Sequence, residues 1–270
     1  MSSIDQLFQS LRSSGRKALM PFITAGDPDL DFTAAVLKKL VDAGCLICEL
    51  GIPYSDPIAD GPVIQASYTR ALGKKIKLAE ILKMLMQTPP ALRAPVVTMV
   101  SYAIVYRHGL EKYVADAKAS GVAGAIVPDL PVEESGPLAE ICRREDFSLI
   151  QLITPTTPPD RAKKIADRTT GFLYYVSVAG ITGERAALPQ NIVENVSRLR
   201  AQTRLPICIG FGISRPEHVR LLAPVADGLI VGSALVRRMA EVGEKSRETV
   251  LEEIGGYVEE LLAALDETIF

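Results

Sequence analysis

Three stretches of the chain carry chemically capable residues where packing alone does not require them. In the first, ELGIPYSDPIADG at 49–61, Glu49 directly follows the apolar run Leu46, Ile47 and Cys48. A carboxylate at the end of such a run loses hydration. That disfavours its charged form, raises its pKa and lets it carry a proton near neutral pH. Asp60 follows in a Pro-rich loop that also holds Asp56. Two carboxylates in unlike surroundings can serve as acid and base in one reaction. A plainer reading stands beside this one: Glu49 as the partner of a buried Lys or Arg, and Asp56 and Asp60 as turn formers.

The second stretch is YYVSVAGITGE at 174–184. Strand alternation sends Tyr174 and Tyr175 to opposite faces, so one of them can reach a pocket. Gly180 and Gly183 then make a loop able to cover a site, or simply a surface loop. The third is a pair of Gly-rich strand ends, IGFGIS at 209–214 and VGSALV at 231–236. Glycines allow the backbone to approach a ligand closely. Ser233 can cap the helix that follows, whose first N–H groups would point at an anion. This predicts a phosphate site; tight helix–strand packing is the alternative. His108 and His218 are too far apart in sequence to suggest a metal set, and neither H-E-x-x-H nor G-x-S-x-G occurs. Cys45 and Cys48 have the spacing of half a zinc site, but no second pair follows, and they read as small buried hydrophobes in a strand.

Elements must bring these stretches together. Eight short apolar runs recur, at 18–24, 46–51, 94–102, 124–129, 148–154, 171–178, 205–212 and 227–234. Runs such as VVTMV are apolar on both faces, as in parallel strands covered by helices. Between them lie segments of helical period, for example DLDFTAAVLKKLVDAG, GLEKYVADAKASG and NIVENVSRLRAQT. Residues 64–90 have room for a short helix and a longer one. The tail from Ala234 to Leu265 reads as helix with a break near Gly255–Gly256. Ile4, Leu7, Phe8 and Leu11 mark one face of an extra helix at the front. Strict strand–helix alternation predicts right-handed crossovers and a parallel sheet. Eight units close into a (β/α)₈ barrel, with residues 1–270 forming one domain. The competitor, an open doubly wound sheet, usually shows G-x-G-x-x-G after its first strand, where this chain has ITAGDPD. In a barrel all three stretches lie at the C-terminal ends of strands, where barrel chemistry occurs.

The chain has 270 residues, 48% apolar and 23% charged, with a formal charge of −2. That balance gives no broad positive field for nucleic acid. No apolar run reaches membrane-spanning length. The charged N-terminal stretch does not read as a signal peptide, and four cysteines without a disulfide pattern fit a cytoplasmic protein.

At these same positions the chain resembles the alpha subunit of tryptophan synthase. ELGIPYSDPIADGPVIQ at 49–65 is close to the family's diagnostic stretch. PFITAGDPD at 21–29, IVPDLP at 126–131, SVAGITG at 177–183, IGFGIS at 209–214 and ADGLIVGSA at 226–234 follow in the family's order. The resemblance implies retro-aldol cleavage of indole-3-glycerol phosphate to indole and glyceraldehyde 3-phosphate. It implies Glu49 as general acid–base, Asp60 as the carboxylate facing the indole N–H, and Tyr174 near the reaction centre. It further implies Gly183, Gly212, Gly232 and Ser233 as phosphate cradle and Phe22 beside the indole pocket. Thr182 belongs to the loop matching a mobile lid. Pro53 and Asp56 match the loop that contacts a beta subunit in an alpha2-beta2 complex. Indole passes through a tunnel to that partner, to which pyridoxal phosphate belongs, so no cofactor or metal is expected in this chain. Many members carry a basic residue where Val178 stands here, which implies altered loop packing.

Three other functions compete. A free-standing indole-3-glycerol-phosphate lyase would need the same acid, base and cradle. Another phosphate-binding barrel, an isomerase or decarboxylating synthase, would place lysine or a second acid at other strand ends, and these strand ends are poor in lysine. A barrel that only binds and regulates a partner would not need both Glu49 and Asp60.

Overall fold

The computed structural model of the chain describes residues 1–57, 60–88, 94–176, 191–210 and 212–268. Helix α1 (Ser3–Ser13) comes first, followed by β1 (Ala18–Thr24), α2 (Leu30–Asp42), β2 (Cys48–Gly51), α3 (Pro62–Gly73), α4 (Leu78–Gln87) and β3 (Val96–Met99). Then come α5 (Tyr102–His108), α6 (Leu110–Ala119), β4 (Val122–Ile126), α7 (Gly136–Arg144), β5 (Ser148–Ile153) and α8 (Pro159–Arg168). The order ends with β6 (Leu173–Val176), α9 (Ile192–Arg200), β7 (Ile207–Gly210), α10 (Pro216–Leu222), β8 (Gly228–Val231), α11 (Ser233–Met239) and α12 (Arg247–Asp266). Each strand pairs in parallel with its sequence neighbour, and β8 pairs with β1, so the sheet is a closed (β/α)₈ TIM barrel as expected.

Alternation along the strands divides the apolar residues into two cores. Leu19, Ile23, Leu50, Ala125, Leu173, Tyr175 and Ile209 point outward and pack with the helices. Met20, Phe22, Val97, Met99, Ile126, Ile150, Tyr174, Cys208 and Ile230 fill the interior. Helix α1 closes the lower end. Its Ile4, Phe8 and Leu11 join the interior cluster, and the Phe8 ring lies 5.7 Å from that of Phe172. Its start is fixed by a capping box in which Ser2 and Asp5 exchange hydrogen bonds. Its end is tied down where Arg12 donates to both carboxylate oxygens of Asp227, at 2.8 and 3.1 Å. Arg200 and the Ile207 N–H donate to the same buried carboxylate, holding it below the usual range despite its burial.

Several sequence expectations shift. The ladders are shorter than the apolar runs at most strands, because the runs continue into loop residues that are buried but unpaired. Cys45 is one of these: it lies before β2, buried and free, while Cys48 is in the strand. Residues 62–87 form two helices of 12 and 10 residues, not a short one and a longer one. The expected break at Gly255–Gly256 does not occur, since α12 runs unbroken through both. At Gly255, α12 lies against the end of the Lys39 side chain of α2. The chain breaks earlier, at the turn holding Gly243 (φ +112°), and Ser246 caps the new helix. Among the described residues no helix is long and apolar enough to cross a membrane.

Candidate active site

Glu49 sits in the middle of β2, opposite Phe22 of β1 and Val97 of β3. It points into the barrel, is 0% exposed, and neither carboxylate oxygen has a hydrogen-bond partner among the described residues. Among the described residues no Lys or Arg partners it. Burial pushes the Glu49 pKa up to about 8, with a smaller push from the charge of Asp60. A buried, unpartnered carboxyl costs stability, and groups with such perturbed pKa values cluster at functional sites.

Asp60 stands just before Gly61, the N-cap of α3. Burial raises its pKa to about 6. It lines a cavity of about 260 Å³ at the upper end of the barrel, with Ile52, Tyr54, Asp56, Pro57, Tyr68, Met99, Val100, Ser101, Pro128 and Asp129. No Lys or Arg is among these lining residues. The two carboxyls thus differ in proton affinity: at neutral pH Glu49 mainly holds its proton and Asp60 mainly does not.

Tyr174 is the tyrosine that turns inward, while Tyr175 joins the outer core. Burial pushes the Tyr174 hydroxyl well above its ordinary pKa, and the charges of Glu49 and Asp60 add to that. Its ring occupies the space beside Gly210, where a Cβ would come 2.5 Å from ring Cε2. Phe22 is 5% exposed and spans the site. Its Cζ lies where a Cβ on Gly51 would be (2.5 Å), and its Cβ is 3.5 Å from where one on Gly232 would be.

Gly212 has φ +85°, a left-handed conformation that glycine adopts without strain. Gly232, not Ser233, is the N-cap of α11; Ser233 is the first helical residue, and no side chain caps this end. The expectation that Ser233 caps α11 is corrected accordingly: the bend falls one residue earlier, at the glycine. Asp56 is exposed and accepts from Ser55 Oγ at 2.6 Å, whereas Pro53 is buried. Thr182 and Gly183, with Val178, lie outside the described residues.

Two features were not singled out from sequence. Asp129, after β4, accepts from Ser101 Oγ (2.6 Å) and from the Tyr102 N–H (2.7 Å), so it fixes the start of α5 at the cavity wall. Tyr68, on α3, enters the interior cluster from a helix. An aromatic residue on an amphipathic helix carries no signal that separates a site wall from ordinary core. Among the described residues no group of three or more His, Cys, Asp or Glu is placed to hold a metal ion.

The family description "Tryptophan synthase alpha chain" matches residues 8–265. The chain belongs to this family. It is 56% identical to the tryptophan synthase alpha chain of Rhodopirellula baltica, over 98% of this chain and 99% of that one. A second relative, from Rippkaea orientalis, is 44% identical over 99% of each. The crystal structure of tryptophan synthase subunit alpha from Legionella pneumophila superposes with a TM-score of 0.91 at 34% identity, covering 99% of both chains. As a tryptophan synthase alpha chain, the protein is a carbon–carbon lyase of tryptophan biosynthesis that cleaves indole-3-glycerol phosphate.

Proposed function

We propose that Glu49 and Asp60 divide the work of this cleavage. The bond between indole C3 and the glycerol side chain resists breaking while the pyrrole ring is aromatic. Glu49, protonated at neutral pH, gives its proton to C3. The ring becomes an indoleninium cation whose charge is shared with the ring nitrogen. Asp60, ionised, faces that N–H and stabilises the cation. The C3–C1′ electron pair then returns to the ring, releasing indole, while the C1′ hydroxyl loses its proton and becomes the aldehyde of glyceraldehyde 3-phosphate. The Glu49 carboxylate accepts that proton, so the residue ends as it began. The observation that carries this reading is the fully buried, unpartnered Glu49 carboxyl beside a second carboxyl of lower pKa. Tyr174 orders the same pocket and Phe22 flanks the ring.

The backbone at Gly212, Gly232 and Ser233, with Gly183, cradles the phosphate at the uncapped start of α11. Thr182 belongs to the covering loop. The chain works with a beta subunit, in an alpha2-beta2 heterotetramer, and Asp56 and Pro53 belong to the loop that meets it. Pyridoxal phosphate is the partner's cofactor, and the chemistry above uses none in this chain. We place the protein in the cytoplasm, where its four free cysteines stay reduced.

Indole release from indole-3-glycerol phosphate, with and without a tryptophan synthase beta subunit, tests this for the wild type and E49Q. Turnover that rises with the beta subunit and vanishes in E49Q is expected. High turnover indifferent to the beta subunit would make the chain a free-standing lyase, and turnover surviving in E49Q would remove Glu49 from the mechanism.

A further inference from the structure

Among the described residues the phosphate cradle has two parts, and one side chain of α12, Tyr257, is bonded toward both. The first part is the loop after β7, with Gly212. The second is the Gly232–Ser233 backbone that opens α11. Helix α12 packs against α10, which follows the first part, and against α11.

Toward the first part, the Tyr257 hydroxyl donates to the carbonyl of Ser214, two residues beyond Gly212, at 3.0 Å. The N–H of Ser214 donates to Nδ1 of His218 on α10, at 3.3 Å. Both backbone polar groups of Ser214 are thus engaged by side chains, one from α12 and one from α10. Ser214, His218 and Tyr257 are all buried, so these bonds lie out of water. Toward the second part, the Tyr257 ring carries the Arg238 guanidinium of α11, with Cζ 3.8 Å from the ring centroid. Arg238 Nη1 donates back to the carbonyl of Ala234, at 2.8 Å. That carbonyl lies in the first turn of α11, next to Ser233.

Such a support matters for an anion. Backbone N–H groups hold a phosphate best when they already converge on it, because ordering a loose loop during binding subtracts from affinity. The strand ladders stop short of both parts: β7 ends at Gly210 and β8 at Val231. Gly212, without a Cβ, adds no stiffness of its own.

We infer that Tyr257 is a positioning residue that holds the Gly212 loop and the start of α11 at the spacing a phosphate needs, with His218 fixing the loop from its other side. This rests on the cradle proposed above. Tyr257 acts through Ser214 and Arg238, not by contact with substrate.

Y257F keeps the ring and its stack with Arg238 and removes only the bond to Ser214. Titrations with glycerol 3-phosphate and, separately, with indole, followed by NMR, read the two ends of the substrate site. Glycerol 3-phosphate affinity is expected to fall about three- to tenfold in Y257F, the worth of one such bond, with indole affinity unmoved. In turnover the loss should fall on KM for indole-3-glycerol phosphate more than on kcat. H218L should weaken glycerol 3-phosphate binding likewise, and H218N should restore it, because Asn Oδ1 can accept where Nδ1 does. Y257F with R238M should cost less than the product of their separate effects, since either change alone uncouples the two parts. Unchanged glycerol 3-phosphate affinity in Y257F, or an equal fall for both ligands, would overturn the inference. G212A, strained at a φ of +85°, tests the cradle itself. If G212A weakens glycerol 3-phosphate binding and Y257F does not, the cradle stands without Tyr257. If G212A binds it as the wild type does, the cradle fails and the inference with it.

Discussion

Removing the charge-bearing ability of Glu49 should abolish turnover and yet make the protein more stable, by an amount that depends on pH. Gln has nearly the shape of a protonated Glu and buries a comparable unpartnered polar group, so E49Q isolates ionisation. Below pH 4.5 the folded and unfolded wild type both carry the Glu49 proton, and the two proteins should match. Between 4.5 and about 8 the unfolded chain releases the proton while the folded chain keeps it. Folding must then take up a proton, and wild-type stability falls as pH rises. Above about 8 the folded chain ionises too, and the loss is complete. At about 1.4 kcal/mol per pH unit, the gap from 4.5 to about 8 amounts to roughly 5 kcal/mol in favour of E49Q above pH 8, and about 3 kcal/mol at pH 7. Urea unfolding of both proteins at pH 5, 7 and 8.5, with slopes unchanged, reads this as a midpoint difference that widens with pH. Asp60 is present in both proteins and largely cancels. A difference that stays flat with pH, or an E49Q protein less stable at pH 7, would refute the view that Glu49 is a carboxyl kept neutral by burial.

The pH dependence of the reaction should follow from the same two groups. With Asp60 ionised and Glu49 protonated in the active form, kcat/KM of the isolated chain should be bell-shaped, rising near pH 6 and falling near pH 8. The limbs belong to the coupled pair, and a profile flat from pH 5 to 9 would count against the assignment. R70A leaves the Asp27 carboxylate, 2% exposed, without its ion-pair partner; the Arg70 head is 40% exposed, so the loss should be about 2–3 kcal/mol, below that of a fully buried pair. A urea midpoint shift worth under about 0.5 kcal/mol would show the tie to be idle. G210A forces the Tyr174 ring aside, and should cost about 1–3 kcal/mol of stability as well as activity. Unaltered turnover in G210A would mean that Tyr174 has no part in ordering the site.

The barrel was legible because its signal is repeated. Eight apolar runs alternating with helical segments leave few alternatives, and one mistaken boundary does not disturb the count. Glu49 was legible for a local reason, since a carboxylate straight after Leu46, Ile47 and Cys48 has few ways to stay hydrated. Tyr68 was not, because its place in the cavity wall depends on what α3 faces, and helical period gives a side of the helix but not its opposite number. Gly255–Gly256 misled for the complementary reason. Two glycines look like a break until the neighbouring helix, with Lys39 against Gly255, is in place. The Asp27–Arg70 and Arg12–Asp227 pairs join residues 43 and 215 positions apart, and nothing local in the sequence announces them.

The seal that α1 makes across the lower end has a consequence for molecular traffic. With Ile4, Phe8 and Leu11 packed into the interior, the barrel is a vessel with a floor. With that floor in place among the described residues, substrate entering and both products leaving would share the rim. Whatever covers the rim therefore governs arrival and departure together. A partner seated there would receive what the vessel releases without any need to attract it.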